Sequence, residues 1–293
     1  MRADSPPTTA IPLTGGRLAA ASRSQSIKLG VGAAWFLGPQ ARQISRAAKS
    51  EDRPLVHRRE RRWAEQVANF LDIDWDLAGL DNVVSDRRTI VLPLHEGFAD
   101  ALALLRLGPD LRFVARDELC EWPTLGRYLL ASHQVLVEAE RGRTAYRHLL
   151  SAGQSVLDSG EALVVFPQGS ILGIEVAFWK GAFRLAERLD AWVLPVALTG
   201  SHRVWEYPYS PLVRFGQTIS VRVFPPVPPD RAVREAAAIE HLLKDAALGG
   251  SMAEPRRYRP EIDGYWDDYR YEIDPRFPEL ADQVASHRDH LAQ

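Results

Sequence analysis

TIVLPLHEGFADALALLRLGPDLRFVAR, residues 89–116, moves from an apolar, β-rich run through a short polar turn into a helical pattern and back into a second β-rich run. Thr89–Leu94 reads as a buried strand, Phe98–Leu107 as a helix and Leu111–Ala115 as the next strand, with Gly108 breaking the chain between them. The alternation continues on both sides. Ile73–Leu77, Gln134–Glu138, Leu163–Phe166, Trp192–Leu198 and Thr218–Phe224 read as strands, and Thr144–Leu157, Ala177–Leu189 and Arg231–Leu248 as helices. This pattern predicts a single α/β domain with a mixed, mainly parallel sheet flanked by helices. Gly79, Gly160, Gly200 and the PPVPP run at Pro225–Pro229 mark further turns.

Outside that unit the chain changes character. Residues 1–27 form a tail rich in Ser, Thr, Ala, Pro and Gly that lacks the apolar stretch of a secretory signal and is expected to be disordered, although its composition also fits a transit peptide. Residues 28–62 read as a basic helical region, 63–250 as the α/β domain and 251–293 as an extension in which Tyr258, Tyr265, Trp266, Tyr269 and Tyr271 stand among acids. The longest uncharged apolar-leaning run, Leu29 to Ala41, is broken by glycines and a proline and is too short to cross hydrocarbon.

With 46% hydrophobic and 25% charged residues in 293, the chain can bury a sizeable core, which excludes a disordered or fibrous class. The single cysteine, Cys120, excludes an internal disulfide and any Cys-rich metal cluster, and makes a reducing compartment the expectation. The net charge of −2 conceals two poles: the first 62 residues carry twelve Lys and Arg against four acids, the last 43 carry six against ten. The basic pole peaks at RPLVHRRERR, Arg53 to Arg62, directly before Trp63. Basic side chains beside an interfacial aromatic suit an anionic membrane surface, while a solvated helix start explains the same residues equally well. The balanced total charge and the lack of any nucleic-acid motif argue against a nucleic-acid partner.

The first place where chemistry could reside is HEGFAD, His95 to Asp100, because α/β sheets place their sites at strand ends. An imidazole can take a proton from a hydroxyl nucleophile while a carboxylate fixes its tautomer and stabilises the cation that forms. On one continuous helix a five-residue spacing sets two side chains about 140° apart, so His95 is expected in the loop and Asp100 in the first helical turn, turned back toward it. A second strand, Leu163–Phe166, runs into FPQGS, where Gly169 lets backbone approach a ligand and Gln168 and Ser170 offer neutral polar contacts. Lys180, one of only four lysines, opens FWKGAFRLAERL.

In these blocks the chain resembles the lysophospholipid acyltransferase superfamily, typified by 1-acyl-sn-glycerol-3-phosphate acyltransferases, over roughly residues 63 to 228. The HxxxxD motif of that family corresponds to His95–Asp100, its FPEGTRS block to Phe166–Leu172, its lysine-glycine helix start to Lys180–Gly181 and its proline-bearing strand to Val193–Val196. Gly79–Asn82 and Arg116–Leu119 are similar to two further family blocks. The resemblance implies an O-acyltransferase that moves a fatty acyl group from an acyl-CoA or acyl-carrier-protein thioester to a lipid hydroxyl. His95 would be the general base and Asp100 its orienting partner, with no metal and no bound cofactor. Phe166, Pro167, Gln168, Gly169, Ser170, Arg116, Arg141, Arg143 and Lys180 fall in or beside the blocks that bind substrate. The backbone near Gly169 and Ser170, or Arg116, would supply the oxyanion donors such a reaction needs. The implied setting is cytoplasmic, peripheral on the inner face of a membrane, with an acyl-carrier protein as a further candidate partner.

Three positions depart from the family pattern. Gln168 replaces a glutamate, Ile171 an arginine and Ala139 a second arginine, although Arg141 and Arg143 follow closely. Family charges at these positions are associated with the acceptor's phosphate, and losing two arginines removes bidentate contacts of the kind phosphate sites use. An acceptor without phosphate, such as a glycolipid, is therefore an alternative, and a catalytically degenerate lipid-binding scaffold is another. A serine hydrolase and a metal hydrolase are disfavoured, since no GxSxG elbow and no HExxH spacing occur.

Overall fold

The structure, a computed structural model, describes residues 20, 22–49, 52–83, 86–121, 125–138, 142–169, 177–205 and 213–251, with side chains to residue 247. The C-terminal extension beyond 251, the tail up to residue 19, and Ala139, Arg141, Ser170 and Ile171 lie outside the described residues.

Three helices come first: α1 (Arg23–Trp35), α2 (Ala41–Lys49) and α3 (Arg53–Phe70). Ser22 caps α1 by accepting the Gln25 N–H at 3.2 Å, so that helix begins inside the stretch that composition assigns to the tail. Asp52 caps α3 through Leu55 N–H at 2.9 Å, and Pro54 sits in its first turn, where no backbone donor is needed. α3 then runs without a break across residue 63, so the basic helical region and the α/β domain share one helix about 27 Å long.

The remainder alternates: β1 (Asp74–Ala78), β2 (Thr89–Pro93), α4 (Asp100–Leu104), β3 (Leu111–Arg116), α5 (Leu125–Ala131), β4 (Val135–Val137), α6 (Arg143–Asp158), β5 (Ala162–Val164), α7 (Lys180–Arg188), β6 (Trp192–Thr199), α8 (Ser201–Val204), β7 (Thr218–Val223) and α9 (Pro229–Ser251). All seven strands expected from the sequence are present in one sheet of order β1-β7-β6-β2-β5-β3-β4. β2 lies at its centre, buried at every residue, with Ile90 and Leu92 in the core beneath α6, α7 and α9 and Val91 in the opposite core beneath α3 and α4. That split is the period-two alternation of a strand covered on both faces. α5 lacks a counterpart in the sequence reading. Its seven residues are too few to show a helical period, and it is fixed by packing on α2 and by Tyr128 against the small third core of Ile44, Ala47, Ala48 and Val56.

Strand direction decides what meets the site. β2, β5, β6, β3 and β4 are mutually parallel, β7 is antiparallel to β6, and β1 is parallel to β7. The sheet is therefore mixed. The first residues of β1 and β7 lie at the same sheet edge as the last residues of β2, β5 and β6. α1 reaches this edge, where the Lys28 ammonium stands 4.5 Å from the ring centroid of Phe215 and 5.1 Å from that of Phe70.

Candidate active site

β2 delivers His95 to that edge, and the chain turns so that Asp100 opens α4. Asp100 Oδ2 accepts from His95 Nδ1 at 2.7 Å, from Glu96 N–H at 2.8 Å and from Gly97 N–H at 3.1 Å. A carboxylate can only accept, so this contact puts the imidazole proton on Nδ1 and the lone pair on Nε2. The Asp100 side chain is sealed at 1% exposure while His95 keeps 20%, so the orienting group is dry and the ring is reachable. Phe166, at the end of the neighbouring β5, stacks on the imidazole with centroids 3.9 Å apart and 28° between planes, which fixes the ring's plane.

The FPQG turn supplies the floor. Gln168 is buried, and its Oε1 accepts from His95 N–H at 3.4 Å. Gly169 adopts φ +67, a left-handed conformation that side chains resist, and its N–H is held by Phe166 O at 3.1 Å. The Gly169 N–H thus closes a turn, and Ser170, whose backbone is the other expected oxyanion donor, lies outside the described residues. Trp179, immediately before α7, closes over the turn by donating its backbone N–H to Pro167 O at 2.8 Å and its indole N–H to Gln168 O at 3.1 Å. Its ring is otherwise one of the most exposed large apolar groups, and Lys180 follows it as the exposed first residue of α7. The neighbouring Phe178 N–H donates to the buried Glu240 of α9 at 3.0 Å, and Glu240 also accepts from buried Lys244 at 2.8 Å. The fourth lysine of the chain thus anchors the segment on which Lys180 rides.

Arg116 ends β3, two strand positions from β2, and Arg143 opens α6, the helix that follows the edge strand β4. Arg116 pairs with Glu118 at 2.7 Å. Among the described residues no group of three or more His, Cys, Asp or Glu side chains is arranged to hold a metal ion, and no helix is long and apolar enough to cross a membrane.

The loop after β6 is the part of the site that the sequence reading missed. Gly200 N–H donates to Glu96 Oε2 at 2.8 Å, Ser201 Oγ donates to Asp100 Oδ1, and His202 Nδ1 lies 3.1 Å from Glu96 Oε2. A side chain at Gly97 would bring Cβ within 2.8 Å of His202 N, so the two loops pack backbone on backbone there. The strand end at Thr199 is readable from the pattern, but its neighbour across the sheet is not.

Comparison with known proteins now adds to this geometry. A family model described as Acyltransferase matches residues 75–199. The matched segment runs from β1 to the end of β6 and includes His95, Asp100 and the FPQG turn. The likeness to the lysophospholipid acyltransferases read from the motifs is borne out by relatives and fold alike. A 1-acyl-sn-glycerol-3-phosphate acyltransferase of Limnanthes alba is 26% identical over 122 residues, 41% of this chain and 43% of that one. A lyso-ornithine lipid O-acyltransferase of Brucella abortus is 30% identical over 114 residues, 36% of this chain and 42% of that one. The match takes in under half the length of either relative. The crystal structure of the 1-acyl-sn-glycerophosphate acyltransferase of Thermotoga maritima shares the fold with a TM-score of 0.64 at 19% identity, over 78% of this chain and 96% of that one.

Proposed function

We propose that the chain is an O-acyltransferase that transfers a fatty acyl group from a CoA or acyl-carrier-protein thioester to a hydroxyl of a lysophosphatidic-acid-like lipid. The observation that carries this reading is the 2.7 Å contact of His95 Nδ1 with the buried Asp100 carboxylate at the end of the central strand, inside a segment that matches the acyltransferase family. His95 Nε2 takes the proton of the acceptor hydroxyl as its oxygen attacks the thioester carbonyl. The C–S bond of the resulting tetrahedral species breaks, and the thiolate leaves with the proton returned from the imidazolium. Asp100 holds the ring and offsets its transient charge.

A phosphate-free acceptor is the second reading, supported by Ile171 and Ala139, which stand where the resembled family carries arginines, and by the Brucella abortus relative, named for a lyso-ornithine lipid. The membrane contact in either reading falls on α1. Ile27, Val31 and Trp35 recur at every fourth position and with Leu37 leave a stripe 46 to 69% exposed, flanked by exposed Arg23, Lys28, Arg42 and Arg46. Trp63, by contrast, donates its indole N–H to Phe36 O at 3.2 Å and is turned inward.

The test is acceptor-dependent release of free thiol from a long-chain acyl-CoA, and separately from an acyl-carrier-protein thioester, with lysophosphatidic acid, a neutral glycolipid and a lyso-ornithine lipid offered side by side. Release lost in His95→Ala supports the enzyme, and the preferred acceptor decides between the two readings. His95-independent lipid binding without turnover on either donor would leave the scaffold instead.

A further inference from the structure

Asp100 is gripped from two sides, and only one of them belongs to its own motif. Oδ2 takes three donors from the HEGFAD loop itself, whereas Oδ1 receives the Ser201 hydroxyl from the loop after β6. Both side chains are buried, at 1% and 0% exposure, so water does not stand in for either. The loop that presents Ser201 is held by the other acid of the motif, since Glu96 grips Gly200 N–H and the His202 ring. Two carboxylates four residues apart thus hold three consecutive residues of the neighbouring strand end. The arrangement follows from the sheet, where β2 and β6 pair in register from Thr89 with Trp192 to Pro93 with Val196. Gly200 makes the turn possible: at φ +88 a Cβ would stand 2.4 Å from Thr218 O.

On the acyltransferase reading, we infer that Ser201 is a positioning residue for the Asp100–His95 pair, and that Glu96 and His202 hold Ser201 in place. The hydroxyl does two things. It stops rotation of the carboxylate about Cβ–Cγ, so Oδ2 stays on the imidazole, and it disperses part of the carboxylate charge. Without it the anion pulls harder on a neighbouring cation, because a hydrogen bond that stabilised its charged form is gone. The titratable groups around the imidazole are Asp100 through its contact and Glu96 and His202 through the loop.

The experiment compares wild type with Ser201→Ala, Ser201→Thr and Glu96→Gln, with His95→Ala as the inactive reference. Ser201→Ala is expected to lower kcat about tenfold, within the range for groups that orient a functional side chain through a hydrogen bond. KM for the acyl donor stays within about twofold, as no substrate contact is removed. The acidic limb of the kcat/KM profile moves to higher pH, Ser201→Thr restores most of the rate, and Glu96→Gln shows the same signature at smaller amplitude. The low-field proton resonance of the His95–Asp100 contact, assigned by its loss in His95→Ala, shifts in Ser201→Ala and returns in Ser201→Thr. Should Ser201→Ala fail to fold, Ser201→Cys, whose thiol is a weak donor, reads the same quantities. An unmoved resonance and pH limb, or a rate loss that Thr does not rescue, overturns the assignment. Wild type without His95-dependent transfer, but with a resonance still moved by Ser201→Ala, sinks the acyltransferase reading and leaves the Ser201 contact standing.

Discussion

The two ends of the sheet each carry a histidine bonded to carboxylate, and they do opposite things with it. At the edge where β2 ends, His95 meets one carboxylate through Nδ1, keeps 20% of its side chain exposed, and has no hydrogen bond to Nε2 among the described residues. At the far edge His57 of α3 is 1% exposed and uses both nitrogens, Nδ1 to Glu60 at 3.1 Å and Nε2 to Glu161 at 2.5 Å. Arg112 joins Glu161 at 2.8 Å, Tyr128 donates to Glu60 at 2.7 Å, and Ser159 donates to Glu161 at 2.8 Å. Burial alone would strip charge from His57, but the hydrogen bonds it donates to Glu161 and Glu60 outweigh it and hold its pKa above the ordinary 6.5. The Glu161 carboxyl is likewise penalised by burial, yet His57, Arg112 and Ser159 bring it below its ordinary 4.5. A histidine with a free nitrogen facing an opening can exchange protons with a substrate. One saturated and sealed can only fasten α3 to the starts of β3 and β5.

The contrast can be broken first at the His95 end, where the proposed chemistry lies. His95→Ala is expected to lower acyl transfer about 10³-fold, roughly 4 kcal/mol of barrier, with an unchanged melting temperature. At the far end, His57→Ala leaves Glu60, Glu161 and Arg112 buried with their network broken. It should cost about 3 kcal/mol of stability in urea melts while turnover per folded molecule persists. Loss of turnover in His57→Ala at full stability would show that the two ends are not separate in role.

The pH dependence of stability sharpens the same point with a smaller effect. The raised His57 value contributes stability in full below 6.5, lost as pH rises through the folded value, while the lowered Glu161 value contributes above 4.5, lost as pH falls through its own. The urea midpoint should therefore peak between those limits, and His57→Gln should remove the decline on the alkaline side. Least in magnitude, a histidine-acylating reagent such as diethyl pyrocarbonate should inactivate with the loss of His95 while His57 survives until unfolding. Simultaneous modification of both would contradict the difference in burial.

Much of this was legible beforehand, and the misses have a common cause. Strands such as Thr89–Leu94 and Trp192–Leu198 are long apolar runs between turn residues, so their period and bounds are local properties of the chain. The loop position of His95 and the helical position of Asp100 follow from spacing and 3.6 residues per turn. Ser201 and Glu96 could not be reached that way, because 101 residues separate Ser201 from Asp100 and only strand order brings them together. The partners of RPLVHRRERR were out of reach for the same reason. As a string it is a basic patch, but the fold sends Arg53 to Glu161, Arg59 to Gln43 O and Arg61 to Asp110, and buries His57 and Glu60.

Strand order also has a consequence for how the chain is made. Among the described residues β1 is bonded only to β7, with Asp74 opposite Thr218, and joins the sheet through it. During synthesis Asp74–Ala78 must wait for the 145 residues from Gly79 to Val223 to emerge, roughly 7 to 30 s at typical ribosomal rates. The segment that waits is DWDLA, and its two aspartates discourage an unpartnered strand from finding the wrong edge in that interval. When β7 arrives, Asp76 is paired with Arg222 and Ser220, so one of the two charges that guard the nascent strand becomes the one that seats it.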